Sequence, residues 1–240
     1  MTDLDTPELD EQSDGDPEEP NTLQRMVLSV ISKGVGPVTG SVDYAHARLR
    51  DENGGSIPVP EDPLNAVYED AGSPAAERAI QRIRREAAAA AGTNGFLTGL
   101  GGFVTLPVAI PANVAGVLII NARLVGAIAY LRGYRLTDPH TQAMAMLVVA
   151  GTSAQRAASL VGIKVGANVT KALIRQVPIS VIRQINKRVG FMLVAKYGTK
   201  RAAVTLAKSV PIVGGLAGGA VDATMTGTIG RVACRVFPSE

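Results

Sequence analysis

From Ala87 to Ala122 the chain carries no charged residue. Such a span exceeds the ~20 apolar residues that a helix needs to cross a bilayer. It is interrupted, however, by Gly92, Gly95, Gly99, Gly101 and Gly102 and then by Pro107 and Pro111. An interior glycine costs a helix about 1 kcal/mol relative to alanine, so something must compensate, and close approach of helix backbones is the usual compensation. The span reads as a helical hairpin with a loop around Gly101–Pro107. It either enters and leaves a membrane on one side or packs within protein. After Arg123 the apolar character resumes as far as Leu131.

Glycine spacing supports the packing part of that reading. Gly95 and Gly99 are four residues apart, as are Gly162 and Gly166, Gly214 and Gly218, and Gly215 and Gly219. Four residues is about one helical turn, so the missing side chains leave a groove that a neighbouring backbone can enter. A tight soluble bundle and a membrane-lying hairpin use the same device, and the spacing does not separate them. Apolar bulk comes from Ala, Val, Leu and Ile, because only 4% of residues are aromatic and Trp is absent.

The remaining elements follow from caps and breakers. Residues 1–21 are rich in Asp, Glu and Pro, lack apolar periodicity and are expected to be disordered. Thr22 opens a helix through about Gly34, with Leu23, Met26, Val27, Val30 and Ile31 at helical spacing. A second helix is expected from Val38 to about Asp51. Pro58, Pro60, Pro63 and Gly72 mark a linker, so residues 22–72 form an N-terminal helical segment. Ser73-Pro74 supplies an N-cap and a first-turn proline for a helix from Ala75 to about Ala91. Arg132-Gly133 ends the Val114–Leu131 helix with a C′ glycine. Thr137-Asp138-Pro139 starts another, to about Val149. Further helices are expected over 153–176, from Pro178 to about Tyr197, from Thr199, and from Pro211 to Val236. No segment shows sustained two-residue alternation. The fold class is all-α: a glycine- and alanine-rich helical bundle with a helical hairpin, behind an acidic tail.

Charge is divided unevenly. Residues 1–20 hold nine acids and no base, so the other 12 acids face 24 bases and the body is net +12. Within the helix expected over 153–176, Arg156, Lys164, Lys171 and Arg175 fall in an arc of ~100°. On the next helix Arg183 and Lys187 oppose the apolar face of Ile182, Ile185, Val189, Met192 and Leu193, and Arg188 extends the charge. Between Pro139 and Ser239 the only acid is Asp222. Basic amphipathic helices fit an anionic membrane surface, or a membrane protein at that surface. Nucleic acid is not expected, because the basic segments lack interleaved aromatics and known binding motifs.

Catalytic chemistry finds little support. His46 and His140 are far apart and have no ligand pair nearby, so no metal site is expected. Gly99-Leu100-Gly101-Gly102 follows an alanine helix rather than a strand and lacks the third glycine of a dinucleotide fingerprint, and no phosphate-cradling GxxxxGK[ST] stretch occurs. Cys234, the single cysteine, excludes an intrachain disulfide and reads as core rather than nucleophile. Asp222, a lone acid in the last helix, is expected either to pair with a base such as Arg123 or to serve a site. No cofactor is expected. The N-terminus has no basic region followed by an apolar one, so a cytosolic face is the expectation.

Two stretches carry a resemblance. AAAAAGTNGFLTGLGGFVTLPVAIPANVAGVLIINARLVGAIAYLRG (Ala87–Gly133), followed by Tyr134, and KSVPIVGGLAGGAV (Lys208–Val221), with Cys234 to Phe237 near the end, resemble the signature of the EcsC protein family across about residues 73–237. The resemblance implies a bacterial, helical protein whose family was named for one encoded beside an ABC transporter. It defines no molecular activity and carries over no catalytic residue. The chain departs from the family pattern at Pro111-Ala112-Asn113, where an acid is often found, at Gly133-Tyr134, where the order is inverted, and at Asp222, where Asn is frequent. Any cation or substrate site built on the missing acid is therefore in doubt here. The expectation is a non-enzymatic helical protein held peripherally at the cytoplasmic side of the membrane by the uncharged hairpin and the basic helices. The alternative is a soluble bundle binding a protein partner or small ligand, its basic face covered by the acidic tail.

Overall fold

The computed structural model describes residues 20–53, 55, 57–63, 65–100, 112–151, 171–193 and 211–239. Their elements are α1 (Thr22–Ser32), β1 (Gly34–Val35), β2 (Val38–Thr39), α2 (Ser41–Asn53), α3 (Pro74–Leu100), α4 (Ala112–Leu131), α5 (Pro139–Val149), α6 (Lys171–Arg175), α7 (Ile179–Leu193) and α8 (Pro211–Val236). The fold is all-α, with one minimal hairpin.

Caps set the helix starts. Asn21 and Gln24 form a reciprocal capping box, each side chain accepting from the other's backbone N–H at 2.9 Å. Asn21 therefore belongs to α1 rather than to the acidic tail, whose residues 1–19 lie outside the described residues. Ser73 Oγ accepts from Ala76 N at 3.2 Å ahead of α3, and Asp138 Oδ1 accepts from His140 N at 3.0 Å at the head of α5. α4 ends in a Schellman motif: Gly133, at φ +79°, donates to Tyr130 O and Tyr134 N donates to Ala129 O.

Two boundaries differ from the sequence reading. The second helix begins at Ser41, not Val38, because Val38-Thr39 pairs antiparallel with Gly34-Val35. Gly36, at φ +57°, occupies the first central position of the hairpin turn, where a II′ geometry requires positive φ. Strands of two residues are too short for alternation to register. α3 continues past Ala91 to Leu100, through Gly92 and Gly95.

Contact with α8 accounts for that continuation, and α3 with α8 is the most extensive helix pairing among the described residues. A Cβ added at Gly95 would lie 2.5 Å from Asp222 Oδ2 and 2.9 Å from Gly218 O. One added at Gly92 would meet Gly219 O and Ala223 Cβ at 3.3 Å, and one at Gly218 would meet Gly95 O at 3.3 Å. The two backbones touch where the glycines face each other, and packing offsets the lost propensity. Gly99 falls in the last turn of α3, and Gly214 and Gly215 fall near the start of α8. Gly162 and Gly166 lie outside the described residues.

α4 occupies the centre, packed by α1, α2, α3, α5 and α8. From Leu118 onward its buried side chains include Leu124, Val125, Ala127, Ile128, Tyr130 and Leu131, distributed around the whole helix. A helix apolar on every side is one surrounded on every side. Of the uncharged run, Val117, Leu118, Asn121 and Ala122 are therefore in the core, while residues 101–111 lie outside the described residues. Among the described residues no helix is long and apolar enough to cross a membrane, and the loop expected at Gly101–Pro107 lies outside them.

Candidate functional site

Two regions gather charged side chains at the surface. The first is α7. Ile182, Ile185, Val189 and Leu193 are buried against the bundle, and Gln24 Nε2 donates to Asn186 O at 2.7 Å, tying α7 to α1. At Gly190 the fit is close: a Cβ there would come within 2.9 Å of Gln24 Oε1 and 3.0 Å of Asn21 Nδ2. With that side fixed, the opposite face turns outward. Arg183, Lys187 and Arg188 are exposed on it, and so is Phe191, at 77% of its full accessibility. At 100° per residue, Phe191 lies within about 60° of both Lys187 and Arg188. An aromatic side chain in the middle of a basic face is unusual for a helix that meets only water, since Phe is normally buried. Charge alone marks the bases in the sequence, and Phe191 is the apolar residue that the fold exposes among them.

The longer basic stripe is not gathered in the same way. Arg156 and Lys164 lie outside the described residues. Lys171 folds back over the α4 terminus, with Nζ 5.5 Å from the centre of the Tyr134 ring and 3.5 Å from the Cβ position of Gly133. Arg175 is exposed at the end of α6.

The second region is an open pocket of about 520 Å³ between α2, α3 and α4, lined by Thr39, Tyr44, Arg48, Arg50, Glu86 and Arg123 among others. Glu86 is its hub. Tyr44 Oη donates to Oε2 at 2.9 Å, Arg48 Nε to Oε2 at 2.6 Å and Arg82 Nε to Oε1 at 2.9 Å. Burial works to raise the Glu86 carboxyl, but these donors outweigh it and hold the group below the usual carboxylate range. Burial, reinforced by the bond to Glu86, pushes the Tyr44 hydroxyl up to about 12. The guanidinium carbon of Arg123 lies over the Tyr44 ring, 4.1 Å from its centre, and desolvation lowers the Arg123 pKa. Arg48 lies 4.7 Å from the same ring centre. None of these residues had been singled out as a site, since Arg48, Glu86 and Arg123 converge from three helices and share no local motif.

Asp222 does not pair with Arg123. It lies against Gly95 where α3 meets α8, whereas Arg123 faces α2, and burial raises the Asp222 carboxyl. His46 is in the core, with Nε2 2.8 Å from Tyr130 Oη, and burial lowers its pKa. His140 is part-buried at the head of α5, with Nδ1 3.0 Å from Asp138 Oδ1 and Nε2 2.8 Å from Val177 O. Cys234 is partly buried, and burial pushes its thiol up, away from the thiolate that nucleophilic work requires. Near it Arg132 bridges Glu77 Oε2 at 3.0 Å and Ser239 Oγ at 2.8 Å. Tyr134 Oη donates to Pro238 O at 3.3 Å and its ring meets Phe237 edge-on. The C-terminus is thereby clamped to the Gly133 turn. Among the described residues no group of three His, Cys, Asp or Glu is placed to hold a metal ion.

No curated protein and no solved structure matches the chain. A family model does match, over residues 74–238, from the first turn of α3 to the clamped C-terminus. That stretch contains both glycine-bearing helices, the enclosed α4 and the Gly133 turn, and on this match the chain belongs to the EcsC protein family.

Proposed function

We propose that the protein is a non-enzymatic helical module that docks peripherally on an anionic membrane surface, on the cytoplasmic side, through the outer face of α7. The observation that carries this reading is Phe191, 77% accessible and flanked by Lys187 and Arg188. Ile179, 48% accessible at the start of the same helix, adds apolar area. An amphipathic helix lying in a membrane interface needs both parts: bases that meet lipid phosphates and an apolar group that enters below them. At ~1 kcal/mol per base near such a surface, Arg183, Lys187 and Arg188 together contribute about 3 kcal/mol, and salt screens that contribution. α7 is taken as the docking element because its exposed apolar residues stand among bases, whereas Leu216, Val221 and Met225, exposed on α8, have no base beside them on that helix.

Flotation of the full chain with vesicles tests it. Vesicles containing phosphatidylserine should carry the protein at low salt and release it at high salt, while phosphatidylcholine vesicles should carry little. Phe191→Ala should weaken the association, and combining Arg183→Gln, Lys187→Gln and Arg188→Gln should abolish it. Equal recovery in the soluble fraction with both vesicle types rules the reading out.

A further inference from the structure

We propose that the pocket between α2, α3 and α4 is a binding site for a small organic oxyanion, a phosphate or carboxylate, gripped by Arg123. Charge balance inside the pocket is the starting point. Its lining holds two acids, exposed Asp43 and Glu86, against Arg48, Arg50 and Arg123, and Glu86 already takes one bond from Tyr44, one from Arg48 and one from Arg82. Arg123 forms no hydrogen bond or ion pair with the described residues; its contact is with the Tyr44 ring. A guanidinium lying over an aromatic ring uses its face and leaves its N–H edge available, and that edge matches the two oxygens of a carboxylate or phosphate. The group does not lose its proton to relieve the half-buried charge, because arginine stays ionised under any ordinary condition. An anion entering the pocket supplies the missing acceptors. Exposed Arg50, on the same α2 wall, adds positive charge beyond that of Arg48 and Arg123, against the exposed Asp43. The volume, about 520 Å³, lies within the usual range for small-molecule sites.

Position separates this site from the docking face. The pocket is walled by α2 on one side and by α3 and α4 on the other, while α7 packs on α1 and α5. α2 precedes the stretch matched by the family model, so the site is completed by a segment outside that match. The shared chemistry, an oxyanion, can arrive on a free molecule or on a lipid headgroup.

Calorimetric titration of the full chain at low ionic strength tests the proposal, with inorganic phosphate, glycerol 3-phosphate and citrate as soluble probes and phosphatidic acid vesicles as a separate arm. Saturable binding of at least one soluble probe, weakened tenfold or more by Arg123→Gln, identifies a free anion as the ligand. Binding by vesicles alone, lost in Arg123→Gln but kept when Arg183, Lys187 and Arg188 are all changed to Gln, identifies a headgroup. Should Arg123→Gln fail to fold, Arg50→Gln at an exposed position carries the test, with an expected loss of threefold or more. No saturable binding in any arm overturns the proposal, as does equal affinity of wild type and the folded variant. Failure of vesicle docking through α7 leaves the soluble-probe result unaffected, so the two readings fail separately.

Discussion

Gly95→Ala should destabilise the protein although alanine is the better helix former, and Gly227→Ala should stabilise it. Both positions lie within helices, so both substitutions gain about 1 kcal/mol of helix propensity. They differ in what the new methyl group meets. At Gly227 nothing lies within 4 Å. At Gly95 the Cβ falls 2.5 Å from Asp222 Oδ2 and 2.9 Å from Gly218 O. The carboxylate can swing aside, but the carbonyl belongs to the α8 backbone and yields only if the helix moves. Overpacking of this kind costs typically ~1–3 kcal/mol, so Gly95→Ala should come out roughly 0–2 kcal/mol less stable than wild type. Because the propensity gain is common to both variants, the difference between them isolates the close contact, at about 1–3 kcal/mol. For a chain of this size each 1 kcal/mol moves the melting temperature by about 2–4 °C. Thermal and urea denaturation followed by circular dichroism would measure it. Adding Asp222→Ala to Gly95→Ala should recover only part of the loss, since the Gly218 carbonyl remains. If Gly95→Ala proved as stabilising as Gly227→Ala, the backbone contact between α3 and α8 would not exist.

Three further outcomes follow from the same geometry. Burial raises the Asp222 carboxyl, so the folded state holds its proton more tightly than the unfolded one, and stability falls as pH rises through the folded value. Asp222→Asn should therefore stabilise at pH 7, with the gain disappearing below the ordinary carboxyl value of 3.8 in a pH series of urea melts. His46 titrates in the opposite sense: burial depresses it from 6.5, so its contribution is present above that pH and is lost as pH falls below it, and His46→Gln should flatten that limb of the stability profile. Gly133→Ala should cost about 1–2 kcal/mol, because its φ of +79° is strained for any residue with a Cβ; a melting temperature equal to wild type would contradict this.

Much of the architecture could be read from local chemistry. Ser73-Pro74, Asp138-Pro139 and Gly133 are caps whose function lies within a few residues, and each stands where its type requires. The limits of α8 were legible because Pro211 opens it and no breaker follows before Val236. Other features depend on distant partners. Gly92 and Gly95 read as the weak end of a helix until α8 is laid against them, since spacing shows that a groove exists but not what fills it. The uncharged run suits a membrane and a protein interior equally, and that α4 is enclosed by five helices is something no spacing within the run shows. Asp222 and Arg123 were matched by opposite charge, yet they belong to different interfaces. The Glu86 hub is only partly legible in the sequence: Arg82 stands four residues before it on α3, but Tyr44 and Arg48 come from α2, whose distance along the chain signals nothing. Phe191 was legible in principle: it falls on the polar side of α7 by simple helical counting.

The pairing of α3 with α8 joins segments more than a hundred residues apart in the chain. During synthesis the glycine face of α3 emerges long before its mate, and α4, the helix beside it, leaves the ribosome without the last of its neighbours. Contacts of such long sequence separation form slowly. The nascent chain thus passes through a period in which an alanine- and glycine-lined surface is unsatisfied. Chains stalled before residue 211 should be markedly more protease-sensitive than the released protein, and a chaperone that shields apolar helices would act during that interval.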